Sequence, residues 1–139
     1  MALNVLDTDI LSLYQRGHEV VCDRVQRHDM EELAVTIITV EEQLSGWYTA
    51  RRRSKAPADV ARVYQRFVDS VRLLARMQIL SFTENAIERF ESLRRMKLGV
   101  KANDLRIAAI ALENSATLVT RNRADFGRIP GLQIEDWSV

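Results

Sequence analysis

The chain has 139 residues, with 20 Lys and Arg against 19 Asp and Glu and a formal net charge of +1. That length suits one domain, 1–139, and 47% hydrophobic with 28% charged residues excludes a disordered tail or a coiled rod. The near-cancelled charge excludes a uniformly basic coat for nucleic acid but leaves room for a local basic groove.

Short apolar runs alternate with longer helical stretches. Residues 2–6 read as a strand that stops at Asp7, and a charged early helix holding His18 and His28 follows. Leu33–Thr36 is the next strand candidate, and 39–52 the next helix, with Thr39 and Glu42 at capping-box spacing. Residues 58–77 place Val60, Val63, Tyr64, Phe67, Val71, Leu74 and Ala75 on one stripe at steps of three and four. A strand over 78–82 leads to Thr83, a good N-cap, and to a helix that buries Ile87, Phe90 and Leu93, with Leu98 beyond. Asn103 or Asp104 opens a helix that is apolar nearly all round, which calls for a sheet on one side and a second layer on the other. Residues 117–120 and Gln133–Glu135 complete the strands. This alternation predicts an α/β fold: a short, mostly parallel central sheet between two helical layers.

In such a sheet, ligands bind beyond the carboxyl ends of the strands. Four distant segments each bring a carboxylate there: Asp7 with Asp9, Glu41 and Glu42, Asp104, and Asp125. Each acid has a bland reading as a helix cap, a first-turn acid or a turn residue. Their agreement on one rim is the sharper signal. Clustered carboxylates raise one another's pKa unless a cation is present. With no His or Cys at ligand spacing, an all-carboxylate site points to Mg²⁺, or Mn²⁺, and away from Zn²⁺.

The same segments resemble the motifs of PIN-domain ribonucleases. Leu6-Asp7-Thr8-Asp9-Ile10-Leu11 resembles the first motif, and the run from Ile38 through Glu42 to Gly46 the second. The run from Asn103 to Leu112 resembles the third, that from Leu118 to Phe126 the fourth, and Pro130 through Trp137 the usual tail. The ordered set spans essentially the whole chain and is most similar to VapC-type toxins of toxin–antitoxin pairs. The resemblance implies a three-layer α/β/α sandwich and a Mg²⁺-dependent endoribonuclease. It puts the metal-site acids on Asp7, Glu42, Asp104 and Asp125, and a polar pair on Thr120 and Asn122. It also implies a homodimer silenced by a cognate VapB-type antitoxin. Spacing to Gly46 favours Glu42 over Glu41, while side-chain direction stays open. Asp9 is a candidate ligand, a neighbour of the ligands or a helix-initiating acid.

Basic residues surround these acids. Arg121 and Arg123 flank the fourth motif, and residues 89–106 carry six cations against two acids, so a phosphate backbone could be held beside an acidic centre. Arg51-Arg52-Arg53 closes the helix that carries Trp47 and Tyr48. The run reads as a solvated helix end whose cations suit the dipole, while Trp47 and Tyr48 could stack on RNA bases or meet the antitoxin or a dimer mate. Trp47 is expected to pack under a neighbouring helix, and Trp137 to dock the last strand. Cys22 alone cannot form an intramolecular disulfide and is expected to be a small buried hydrophobe. With no basic leader and no apolar run near ~20 residues, a soluble cytoplasmic chain without a membrane segment is expected.

Two rival functions remain at this level. Asp7-Thr8-Asp9 also fits the opening of haloacid-dehalogenase-like phosphatases, although their later Gly-Asp motif is missing. A non-catalytic RNA- or partner-binding module would use the same acids only as caps.

Overall fold

The computed structural model describes residues 2–139. Five strands form one sheet: β1 (Asn4–Leu6), β2 (Leu33–Thr36), β3 (Gln78–Leu80), β4 (Thr117–Val119) and β5 (Gln133–Glu135). Their order is β3-β2-β1-β4-β5, and every pair is parallel. The helices are α1 (Thr8–Gln15), α2 (Glu19–Gln26), α3 (Ile37–Arg53), α4 (Pro57–Arg76), α5 (Glu84–Arg95), α6 (Ala102–Glu113) and α7 (Arg123–Phe126), with a 3₁₀ turn at Met30–Glu32.

Alternation along the strands builds two cores. Val5, Ala34 and Leu118 face one side, where α6 lays Ile107, Ala108 and Ala111 against them and α5 adds Phe90 and Leu93. Leu6, Leu33, Val35 and Val119 face the other side, against Ile10, Leu11, Val21, Val25, Leu74 and Trp137. The helix expected to be apolar all round is α6, and it is buried between the sheet and α5. Trp137 is 1% exposed and stacks on His28 with ring centroids 4.5 Å apart, so the tail is pinned beneath α2.

Several local expectations give way to packing. β2 runs into α3 with no loop, and Thr36 is the cap, its Oγ1 accepting from the Thr39 N–H at 3.3 Å. Thr39 therefore sits inside the first turn, and no Thr39–Glu42 capping box forms. The helix expected at Asn103 or Asp104 begins at Ala102, with Lys101 in the cap position, because Asn103 Oδ1 is taken up by Arg106 at 2.7 Å. The stripe on α4 is only partly buried: Leu74 is covered, whereas Tyr64 and Val71 are exposed because α4 packs mainly along α3. On α5, Ala86 takes the buried place expected of Ile87. Cys22 is half-buried, with its thiol 3.6 Å from the Tyr14 carbonyl. The early charged stretch is two helices rather than one, turned at Gly17 with φ +79°. No helix among the described residues is long and apolar enough to cross a membrane.

Candidate functional site

The carboxyl ends of β1, β2 and β4 lie side by side, so the chain leaving each one opens on the same rim. Asp7 is the first residue beyond β1 and caps α1. One carboxylate oxygen accepts from the Ile10 N–H at 2.8 Å, the Thr120 hydroxyl donates to the same carboxylate, and Asp7's own N–H reaches the Val119 carbonyl at 3.0 Å. Only 6% of Asp7 is exposed. Burial pushes its carboxyl up from 3.8 to about 6; the Thr120 and Ile10 hydrogen bonds oppose the rise, and the negative charges of Asp9 and Asp104 add to it.

Glu42 rises from the second turn of α3, its Oε1 accepting from the Thr8 hydroxyl at 2.6 Å. Thr8 Oγ1 lies 3.0 Å from Thr39 Oγ1, so the residue after the first acid ties α1 to α3. Asp104, in the first turn of α6, has its pKa raised by burial, then by the charges of Glu42 and Asp125, with Lys101 opposing. Asp7, Asp9, Glu42 and Asp104 line one cavity of about 530 Å³ together with Thr8, Ser12, Arg121 and Asn122.

Asp125 stands beside that cavity on the short helix α7. Asn122 holds it twice: Oδ1 accepts the Asp125 N–H at 3.2 Å and Nδ2 donates to Asp125 Oδ2 at 3.0 Å. Arg128 approaches its other oxygen at 3.6 Å. Thr120 is fully buried, and its Oγ1 accepts from the Asn122 N–H at 3.0 Å, so the expected polar pair forms one chain of bonds between Asp7 and Asp125. Asp9 turns to the rim, where Arg121 grips both its oxygens at 2.7 and 2.9 Å. Arg123 is exposed; burial pushes the Asp136 pKa up, and the Ser138 hydrogen bonds with the charges of Arg123 and Arg121 together bring it below the usual carboxylate value. Glu41 is exposed and lines a neighbouring hollow that Glu42 also borders; of the two, Glu42 lines the cavity that holds Asp7 and Asp104.

The basic segment 89–106 around Asp104 is less available than its charge suggests. Arg89 pairs with Glu113 at 3.0 Å, Arg94 with Glu91, and Arg106 lies over the Phe90 ring at 4.7 Å. Trp47 packs under α4 as expected, its ring 6.3 Å from that of Phe67. Sequence reasoning passed over Thr8, although its place between two acids was the available signal. It also passed over Gln43, a polar residue buried with Ser70 and bonded to the half-buried Gln15 just behind Glu42.

Among the described residues, no three or more His, Cys, Asp or Glu side chains form a ready-made coordination cluster. Asp7, Glu42 and Asp125 are each held by hydrogen-bond partners of their own, whereas no side-chain hydrogen bond or ion pair among the described residues engages Asp104. The donors are nonetheless hard oxygens throughout, and two of the acids are strained upward in pKa by burial and by neighbouring acids. That chemistry fits a hard divalent cation, with Asp7, Glu42, Asp104 and Asp125 as the residues that could hold it.

A family model described as the PIN domain matches residues 5–132. Ribonuclease VapC1 of Haemophilus influenzae is 26% identical, over 96% of this chain and 97% of that protein. Ribonuclease VapC2 of Rickettsia felis is 38% identical over 68 residues, which span 46% of this chain and 51% of that protein. Among solved structures, DNA-bound VapBC from Salmonella typhimurium has a chain of the same fold, with a TM-score of 0.80, 25% identity and 99% of both chains covered.

Proposed function

The chain belongs to the PIN-domain family, and from that premise we propose that it is a Mg²⁺-dependent endoribonuclease of the VapC type, a toxin silenced by a VapB-type antitoxin. Residues 1–139 act as one PIN domain, in the cytoplasm and as a homodimer. The observation that carries the reading is the convergence of Asp7, Glu42 and Asp104 on one cavity, with Asp7 held near a pKa of about 6 by burial. A module whose acids only cap helices has no need to crowd Asp7, Glu42 and Asp104 around one cavity, with Asp9 at its rim, at that electrostatic cost.

Asp7, Glu42, Asp104 and Asp125 would hold the Mg²⁺; Mn²⁺ would fit the same oxygens. When bound, such an ion makes water a nucleophile at neutral pH and offsets charge on the phosphodiester. The chain's own groups prepare the site. Thr120 and the Ile10 N–H aim the Asp7 carboxylate, Thr8 aims Glu42, and Asn122 aims Asp125. Arg121, fixed by Asp9, and Arg123 stand at the rim, where they can hold the substrate's phosphates without reading its sequence.

Water as the nucleophile leaves a 5′-phosphate and a 3′-hydroxyl. The test is the purified chain on total RNA with Mg²⁺ or with EDTA, with the cut ends mapped. Cleavage that needs the ion and leaves those ends is the expected result; a 2′,3′-cyclic phosphate, or cleavage unaffected by EDTA, would overturn it. The complex with the product of a neighbouring antitoxin gene, and loss of cleavage within it, tests the toxin assignment.

A further inference from the structure

The acid cavity does not end at Glu42. Thr8, Ser12 and Glu42 also line a larger cavity of about 980 Å³ between α1, α3 and α4. That cavity shares Trp47, Ala50 and Arg66 with a third, of about 430 Å³, at the turn from α3 to α4. The three form one trough running along α3. Arg53, at its far end, lies about 16 Å from Glu42 at the helical rise of 1.5 Å per residue.

Charge changes along this trough. Its near end is the acid site. Its far end is lined by Arg53, Lys55, Arg62 and Arg66 against one acid, Asp59. Asp59 is already paired with Arg62 at 2.9 Å, and among the described residues Arg53, Lys55 and Arg66 enter no ion pair. Unpaired cations lining a hollow are costly for the fold, since they repel one another with no return, and useful to a ligand that brings negative charge. Between the two ends the wall is polar. Gln15, Gln43 and Ser70 are bonded to one another at 2.9–3.2 Å. Trp47, braced by Phe67, lines both the middle and the far cavity. Gly46 borders open space, since a Cβ there would meet no atom within 4 Å.

We propose that this trough binds the single-stranded RNA flanking the cleaved phosphodiester, with Arg53, Lys55 and Arg66 holding its phosphates and Trp47 offering a surface to a base. The proposal rests on the ribonuclease reading and adds to it a second anchoring point. Charge complementarity and direct continuity with the acid cavity argue for a polyanion over a protein helix. An aromatic side chain beside unpaired cations is the usual equipment for an unpaired strand. The arginines that close α3 are then phosphate contacts rather than a merely solvated helix end.

The test separates binding from turnover. The full chain carrying Asp7→Asn is titrated into fluorescein-labelled RNA of about 4 and about 12 nucleotides and followed by anisotropy. The same is done with Arg53→Ala, Lys55→Ala and Arg66→Ala added. The longer RNA should bind more tightly, and the three substitutions should weaken it about tenfold while leaving the short RNA unchanged. The slope of log affinity against log salt should fall by about 2, at ~0.7 per phosphate contact to a single strand. In the cleaving chain, the same substitutions should raise KM for the longer RNA and leave kcat alone. Equal affinity and equal salt slope for the longer RNA overturn the proposal, and so does a loss confined to binding of a protein partner. If the unsubstituted chain cleaves no RNA with Mg²⁺, the functional reading fails on its own account, because the titration requires no turnover.

Discussion

Replacing Asp7 with Asn keeps the shape of the carboxylate and removes its charge. Asn is as good an N-cap as Asp, so the bond from the Ile10 N–H at 2.8 Å survives, and an amide can still meet the Thr120 oxygen. What disappears is the cost of ionising a buried acid. The folded pKa is about 6 against 3.8 for the free side chain, a difference of about 2 units or ~3 kcal/mol. Between those values the folded chain holds a proton that the unfolded chain has released, so stability falls as pH rises through that window. The penalty is absent below about pH 4 and complete above about pH 6. Trading a charged hydrogen bond for a neutral one at Thr120 returns about 1 kcal/mol. In EDTA at pH 7.5, Asp7→Asn should therefore be the more stable chain by ~2 kcal/mol, or about 6 °C in Tm for a chain of this size. The gap should close toward pH 4. Thermal unfolding of both chains followed by circular dichroism across pH 4–8 measures it. Saturating Mg²⁺ at about a hundred times its Kd should add ~2.7 kcal/mol to the unsubstituted chain and much less to the variant. A variant less stable than its parent at pH 7.5, or a gap independent of pH, would refute the reasoning, since it would mean that Asp7 is not strained as an anion.

Other substitutions probe the supports of the site. Thr8→Val removes the 2.6 Å hydrogen bond to Glu42 and should lower the rate of RNA cleavage by about tenfold with little change in Tm; an unchanged rate would deny Thr8 its positioning role. Ser70→Ala takes away the donor to Gln43 Oε1 at 2.9 Å, inside the polar network behind the site, and should cost about 1–2 kcal/mol in urea unfolding. Gly127→Ala would bring a Cβ to 2.4 Å from the Arg123 carbonyl oxygen, a backbone atom that cannot turn aside. It should cost about 1–3 kcal/mol and reduce cleavage as well, because α7 carries Asp125. Arg121→Ala should leave the denaturation midpoint unmoved, the pair with Asp9 being exposed, and should raise KM for RNA.

The layered fold was legible because the signals are local and repeat. Val5 and Leu6 point to opposite cores, as any strand requires, and Leu33–Thr36 and Gln133–Glu135 match their expected bounds. The acids were legible for a related reason: each follows a strand or opens a helix, and a parallel sheet brings all such points to one edge. Helix starts were less legible. Whether Thr36 or Thr39 caps α3 depends on how β2 hands the chain over, and both residues are competent caps.

The order of strands and helices and the gathering of acids along one rim were thus written in spacing and residue type. Spacing to Gly46 favoured one acid of an adjacent pair, but side-chain direction came only with the tertiary structure. Glu41 and Glu42 differ by about 100° around α3, and only the packing of α3 against α1 turns Glu42 to Thr8. It alone engaged much of the basic segment around Asp104 elsewhere. It also left the cations at the end of α3 unpaired above a trough that leads to the acids. Spacing along a chain fixes which residues share a face of one element. What that face meets depends on how two elements cross, and no single segment carries that information.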